Sequence, residues 1–143
     1  MLDRFARRLI DPPLNAAGRA IAQRGYSADH VTLIGLCLGL FSALLIALGW
    51  SLLALIPLLA SRIADGLDGA VARATRKTDF GGYLDILVDF TIYGLVPLGV
   101  TAGNPSEDRF IFLVILEVSF FVNAGGLFML SALIEKNKNA VFT

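Results

Sequence analysis

The sequence 65-DGLDGAVAR-73, followed after seven residues by 81-GGYLDILVD-89, decides the fold class and the function that we predict. It contains four of the twelve acidic residues of the chain and lies between long apolar runs. These acids are Asp65, Asp68, Asp85 and Asp89. A carboxylate inside a membrane helix costs at least about 2.5–3.5 kcal/mol by insertion scales. We therefore expect the four carboxylates to serve a polar function within an apolar protein.

The spacing of the acids places them on two helix faces. Asp65 and Asp68 are three residues apart, and Asp85 and Asp89 are four apart, so each pair shares one face of a helix. The short connection at 75–80 predicts that the two helices are antiparallel neighbours with their acids facing each other. Four converging carboxylates favour divalent cations, and ligands that are all oxygen favour Mg²⁺, Mn²⁺ or Ca²⁺ over zinc.

Small residues and arginines accompany the acids. Gly69, Ala72 and Gly81 leave the space that close helix packing or a bulky phosphate ligand requires. Arg73, one turn after Gly69, is placed to pair with a phosphate oxygen. Arg62, one turn before Asp65, has two interpretations that the sequence leaves open: an ion pair within its own helix, or an anchor for a phosphate group.

Composition predicts an all-α integral membrane protein. The 143 residues are 56% hydrophobic, and the mean hydropathy is +0.72, which is too apolar for a soluble domain of this size. The net charge is zero and therefore says nothing about nucleic acid. For a membrane protein of this composition we expect no nucleic-acid partner. The single cysteine, Cys37, lies in an apolar run and is interpreted as a small buried or lipid-facing residue.

Residues 1–26 are predicted to form a cytoplasmic, juxtamembrane helical segment. Leu2, Phe5 and Leu9 share one helix face opposite three arginines, as in a helix that lies on an anionic membrane surface. The alternative is a solvated helix without membrane contact. Asp11 before Pro12 predicts the N-cap of a second helix, which ends at Gly25.

Residues 27–143 are predicted to form a membrane domain with four spans, at about 31–50, 52–74, 80–100 and 109–133. Nearly all basic residues fall on one side of these spans, whereas Arg109 falls on the other. By the positive-inside rule, the N-terminus, the 75–79 turn, the C-terminus and the acid site face the cytoplasm. The basic residues of that side are Arg4, Arg7, Arg8, Arg19, Arg24, Arg76, Lys77, Lys136 and Lys138.

The pattern Asp65-x-x-Asp68-Gly69-x-x-Ala72-Arg73, then Gly81-x-x-x-Asp85-x-x-x-Asp89, resembles the signature of the CDP-alcohol phosphatidyltransferases. The resemblance implies an enzyme of phospholipid biosynthesis. Its donor is CDP-diacylglycerol or another CDP-linked alcohol, its acceptor is a small alcohol or alcohol phosphate, and CMP is released. It also implies a membrane-embedded site and, as an expectation, a homodimer.

The resemblance further implies roles for individual residues. The four aspartates would hold Mg²⁺ or Mn²⁺, two ions in all, and Asp89 would also act as the catalytic base. CDP would be bound by Gly69, Ala72, Arg73 and Gly81. If Arg62 anchors a phosphate, the resemblance implies that this phosphate belongs to the acceptor.

The chain departs from the resembled family in its number of spans. Family members usually have six spans and this sequence predicts four, so we expect a fragment, a truncated chain or a shortened gene product that lacks the last two helices. One alternative function is a non-catalytic remnant of such an enzyme. Another is a small ion-conducting protein, which would spread its acids through the depth of the bilayer.

Overall fold

The computed structural model describes residues 2–141, and side chains within residues 10–137. The described residues form five α-helices and no strand, which confirms the all-α prediction. Their bounds are α1 Leu2–Gln23, α2 Ala28–Ala47, α3 Ser51–Ala74, α4 Asp79–Gly103 and α5 Glu107–Val141. The chain divides into two compact units, α1–α4 up to Asn104 and α5 from Pro105.

Three of the described helices are long and apolar enough to cross a membrane: α2, α4 and the Glu107–Asn137 part of α5. Helix α3 has 24 residues, enough to span about 30 Å of hydrocarbon, but it contains two arginines and two aspartates. These four charged residues make α3 less apolar than the three helices named above. Its membrane crossing remains a prediction.

Helix α1 is continuous, so the predicted second helix with its N-cap at Asp11 is wrong. The helix contains Pro12 and Pro13, whose φ near −65° is compatible with helical backbone although each lacks an N–H donor. Its C-terminal half packs on α3. A Cβ built on Gly18 would lie 2.7 Å from the carbonyl carbon of Ala70. Gly25, at φ +85°, follows the end of α1 as predicted.

The predicted apolar face of Leu2, Phe5 and Leu9, and the opposing arginines, lie outside the residues whose side chains are described. The predicted role of that face at a membrane surface stays a prediction.

Helix α2 is the centre of the α1–α4 unit. It packs antiparallel to α3, where Ser42 Oγ donates to the Ala54 carbonyl at 2.9 Å and Ser61 Oγ donates to the Gly35 carbonyl at 2.8 Å. It also packs parallel to α4, so closely that a Cβ on Gly99 would lie 2.7 Å from the Ala43 carbonyl oxygen. Each of these contacts depends on a small residue.

The helices now named α3 and α4 turn their acid-bearing faces toward each other, as predicted, with Arg62 of α3 2.8 Å from Asp89 of α4. Within the described residues, each packs closely on α2 and neither packs extensively on the other. A short connection makes two helices antiparallel, but here the small-residue faces of α2 occupy the central position. The acid-bearing faces of α3 and α4 therefore meet through side chains across a cleft.

Several predicted helix limits also differ. Helix α2 begins at Ala28 because Ser27 and His30 form a reciprocal cap: the His30 amide donates to Ser27 Oγ at 3.4 Å, and the Ser27 amide donates to His30 Nδ1 at 3.3 Å. It ends before Trp50, which precedes α3. Helices α4 and α5 continue to Gly103 and Val141, beyond the predicted ends at residues 100 and 133. Helical hydrogen bonding needs no apolar sequence, so hydropathy marks the membrane part of a helix better than its ends.

Candidate functional site

A cavity of about 640 Å³ lies where the α1–α2 and α3–α4 connections meet. It brings together all four predicted CDP-binding residues and two of the four predicted metal ligands. Its lining includes Asp68, Gly69, Ala72, Arg73, Gly81 and Asp85. Residues that the sequence analysis did not select also line it, among them Tyr26, Asp29, Thr32, Arg76 and Lys77.

The first turn of α4 forms one wall of the cavity. Thr78 is the N-cap of this helix, and its Oγ1 accepts a hydrogen bond from the Gly81 amide at 2.9 Å. A Cβ on Gly81 would lie 3.0 Å from Thr78 Oγ1 and 3.1 Å from Asp29 Oδ1. The glycine therefore allows α4 to approach the start of α2, and a larger residue would narrow the cavity at this wall.

The opposite wall carries Arg73, near the end of α3. Its Nε and Nη2 donate to Asn15 Oδ1 of α1 at 3.2 and 2.9 Å. The guanidinium also lies beside Gly69, where an added Cβ would be 3.4 Å from Nη1. Asn15 thus orients the guanidinium of Arg73, the residue that we predicted to bind phosphate. Sequence spacing gave no indication of this partner.

Asp68 and Asp85, which we call the cavity pair, both line this cavity. The side chain of Asp68 is buried, and its Oδ2 accepts a hydrogen bond of 2.6 Å from Thr32 Oγ1 of α2. The sequence analysis missed Thr32. A usable signal was present, because Thr32, Gly35, Gly39 and Ser42 recur at helical spacing and mark the face of α2 that packs on α3.

Asp65 and Asp89, which we call the arginine pair, both contact Arg62. Arg62 Nη1 lies 2.8 Å from Asp89 Oδ1 and 3.9 Å from Asp65 Oδ1. The ion pair within α3 is therefore present, but the closer partner is on α4, which the sequence did not indicate. Tyr93 completes the group, with its hydroxyl 3.4 Å from Asp89 Oδ2 and its ring centroid 5.9 Å from Arg62 Cζ.

The four carboxylates are close enough to interact electrostatically across the α3–α4 cleft. Among the residues that the structure describes, no three acidic, histidine or cysteine side chains are arranged as a ready-made metal site. The donor set itself fits Mg²⁺ or Mn²⁺, because it consists of carboxylate oxygens and the cavity pair faces open space. The arginine pair is instead directed at a guanidinium. Metal binding by all four acids remains a prediction.

Comparison with known proteins identifies the class. The model of the CDP-alcohol phosphatidyltransferase family matches residues 26–141, and the chain belongs to this family. The match covers α2 to α5 and both acid-bearing segments, whereas most of α1 precedes it.

Individual relatives agree with this class. The chain is 43% identical over 108 residues to inner membrane protein YnjF of Escherichia coli, covering 76% of this chain and 52% of the relative. It is 39% identical over 109 residues to archaetidylinositol phosphate synthase of Methanothermobacter thermautotrophicus, covering 73% and 52%. The corresponding synthase of Pyrococcus horikoshii is 33% identical over 99 residues, covering 68% and 53%.

The chain spans about half the length of the curated relatives it matches. No solved structure matches it. The apolar helices are those of a membrane protein, and one relative is named an inner membrane protein.

Proposed function

We propose that this protein transfers a substituted phosphoryl group, such as a phosphatidyl group, from a CDP-linked lipid or alcohol to an acceptor hydroxyl in phospholipid biosynthesis. The observation that carries the proposal is the cavity in which the cavity pair, Arg73 and the small residues at 69, 72 and 81 lie together. A nucleotide diphosphate needs this combination of cationic groups, nearby carboxylates for its metal ions, and space for bulky phosphates.

The proposed reaction is a displacement at phosphorus. The acceptor hydroxyl oxygen forms a bond to the phosphorus that carries the lipid or alcohol, and the bond from that phosphorus to the oxygen of CMP breaks. CMP leaves with the electron pair, and the hydroxyl proton goes to a carboxylate oxygen of Asp89. Arg73 binds phosphate oxygens of the donor, held in place through Asn15.

Asp89 suits the role of base through its contacts. An ionised carboxylate has about four lone-pair positions, so the bond from Arg62 to Oδ1 leaves others for the incoming proton. Arg62 and Tyr93 also fix the orientation of the carboxylate from two sides. A positioned base typically contributes about 10²–10⁴-fold to a rate.

We propose Mg²⁺ or Mn²⁺ as the cofactor, held by Asp68 and Asp85 with the participation of Asp65 and Asp89. When bound, two such ions neutralise the charge of the diphosphate and of the departing CMP. The support from this chain is its donor set of carboxylate oxygens, of which the cavity pair faces the space assigned to CDP.

The acceptor we propose is an alcohol phosphate, with Arg62 as the residue that binds its phosphate. Two relatives are named archaetidylinositol phosphate synthase, which favours an inositol phosphate within this class. Arg62 contacts Asp89 at 2.8 Å, so a phosphate bound by this guanidinium would hold its molecule next to the proposed base. We also propose that the enzyme acts as a homodimer.

We propose that the cavity opens to the cytoplasm, together with the N-terminus. The cavity lining includes Arg73, Arg76 and Lys77, so its mouth is on the basic side of the protein. Lys77→Cys and Asn104→Cys, each in a Cys37→Ser background, test this orientation. A membrane-impermeant maleimide should label the first variant only in inverted vesicles and the second only in spheroplasts. The opposite pattern would overturn the orientation.

The decisive experiment for the proposed function is CMP release from CDP-diacylglycerol with Mg²⁺, across a panel of small alcohols and alcohol phosphates. Metal-dependent release with one acceptor, greatest for inositol phosphate, is the expected result. Release without any acceptor would indicate hydrolysis. No release with any acceptor, from protein that binds CDP, would favour a non-catalytic remnant.

A further inference from the structure

Thr32 contacts the acid cluster from a helix that carries none of the four acids. Its Oγ1 lies 2.6 Å from Asp68 Oδ2, and both side chains are buried, with about 5% of each residue exposed. A distance of about 2.5–2.7 Å is typical of a hydroxyl that donates to an ionised carboxylate. The contact is therefore a charge-assisted hydrogen bond between α2 and α3.

The hydroxyl has a second acceptor within reach. Thr32 Oγ1 also lies 3.1 Å from the carbonyl oxygen of Ala28 in the preceding turn. A threonine hydroxyl has one proton to donate, and an ionised carboxylate can only accept. The shorter distance and the charge of Asp68 assign the proton to the carboxylate.

The packing around Thr32 fixes its position. Next to it on the same face of α2, Gly35 meets α3, where the buried Ser61 donates to its carbonyl at 2.8 Å. Threonine also has fewer rotamers than an unbranched side chain. The hydroxyl is thus held by a packed helix pair, and it binds one oxygen of a carboxylate that lines the cavity.

We infer that Thr32 is a positioning residue for the proposed metal and CDP site: it fixes the Asp68 carboxylate in the orientation that binds the divalent ion. This inference rests on the proposed function. Carboxylates that bind metals are themselves oriented by hydrogen bonds, and loss of such a partner typically lowers metal affinity by about 10–100-fold. Thr32 is the only side chain of α2 that donates a hydrogen bond to any of the four acids in the described part of the chain.

The test is Mn²⁺ binding to the purified protein in detergent, followed by the loss of the free-ion electron paramagnetic resonance signal. Thr32→Val removes the hydroxyl with little change in volume and should weaken Mn²⁺ binding by about tenfold or more. Thr32→Ser retains the donor and should bind Mn²⁺ within about threefold of the unchanged protein, because the same charge-assisted hydrogen bond can form.

Thr101→Val is the matched control. Thr101 is equally buried, and its hydroxyl donates to the Pro97 carbonyl one turn back at 3.0 Å. It lies on α4 outside the lining of the cavity. The two valine variants lose the same chemical group from a buried helix position. They differ in the carboxylate contact, so Thr101→Val should leave Mn²⁺ affinity unchanged.

The outcomes separate this inference from the proposed function. Equal Mn²⁺ affinity in Thr32→Val and the unchanged protein would overturn the role of Thr32 while leaving the metal site intact. Weakened binding in both valine variants would show a general packing effect and would also overturn it. If the unchanged protein bound no Mn²⁺, the proposed metal site and this inference would both be wrong. The transferase proposal would then be tested separately, by measuring CMP release without added metal.

Discussion

The two halves of the acid cluster are built differently. The cavity pair faces the 640 Å³ cavity, and its buried member is held by a neutral hydroxyl. The arginine pair faces a guanidinium, which lies 2.8 Å from Asp89 and 3.9 Å from Asp65. One half therefore keeps its negative charge available to a ligand, and the other has a cation of the protein beside it.

This difference indicates that the cavity pair and the arginine pair have different roles. Grouped like charges in a low-dielectric region are costly unless a cation accompanies them. Arg62 meets that requirement for the arginine pair, and divalent ions that arrive with the nucleotide would meet it for the cavity pair. We therefore expect donor binding to depend on the cavity half, and acceptor binding and proton transfer to depend on the arginine half.

The largest expected effect is that of Asp89→Asn. It removes the proposed base, so turnover should fall by about 10²–10⁴-fold. CDP affinity, measured by isothermal titration calorimetry, should change by no more than a few fold, because the cavity pair remains. Asp85→Asn should lower CDP affinity in the presence of Mg²⁺.

Asp79→Asn provides the control on the same helix, since this exposed residue lies outside the cavity lining. It should leave both the rate and the affinity near their original values. Parallel loss of turnover and CDP binding in Asp89→Asn would contradict the division between the two halves.

Arg62→Gln is expected to have the next largest effect, confined to one class of acceptor. Loss of a charged hydrogen-bonding partner for phosphate should reduce kcat/KM for alcohol phosphates by about 10–100-fold. The kcat/KM for unphosphorylated alcohols should fall much less. CMP release with paired acceptors, such as inositol phosphate and inositol, measures the difference.

Arg62→Lys sharpens this prediction. Lysine retains the charge without the planar pair of donors, so it should restore only part of the rate. Equal losses with both acceptors in Arg62→Gln would mean that the arginine serves only to orient Asp89.

The smallest effect is expected for Asn15→Ala in the donor half. Asn15 orients Arg73 through hydrogen bonds that are exposed to solvent, and a typical hydrogen bond contributes about 0.5–1.5 kcal/mol. The KM for the CDP-linked donor should rise by about two- to tenfold while kcat is retained. Asn15→Asp, which preserves the acceptor oxygen, should stay close to the original KM. A fall in kcat with unchanged KM would contradict a role in donor binding.

Much of the fold follows from local pattern. The apolar runs of about 20 residues predict the membrane helices, and each became a helix in the structure. The predicted helix limits were less accurate, as at α1, where Asp11 before Pro12 resembled the start of a new helix but lies inside a continuous one. A terminus depends on caps and on packing, as in the reciprocal contact of Ser27 with His30.

The candidate site likewise contains residues that the sequence could select and partners that it could not. Acids three and four residues apart share a helix face by geometry alone, so the sequence was sufficient to select them and their family. The cavity then united all four residues chosen for CDP binding. Their partners were not predictable, because Thr32 is 36 residues from Asp68 and Asn15 is 58 residues from Arg73.

The sequence by itself determined that this is a helical membrane protein of the CDP-alcohol phosphatidyltransferase family, and which carboxylates form its cluster. Only the tertiary structure decided that α2, and not direct packing of α3 on α4, organises the site. It also decided that Arg62 pairs most closely with Asp89. Helical periodicity relates residues three or four apart and can therefore be recognised in the sequence. Contacts between helices depend instead on which small-residue faces can approach most closely.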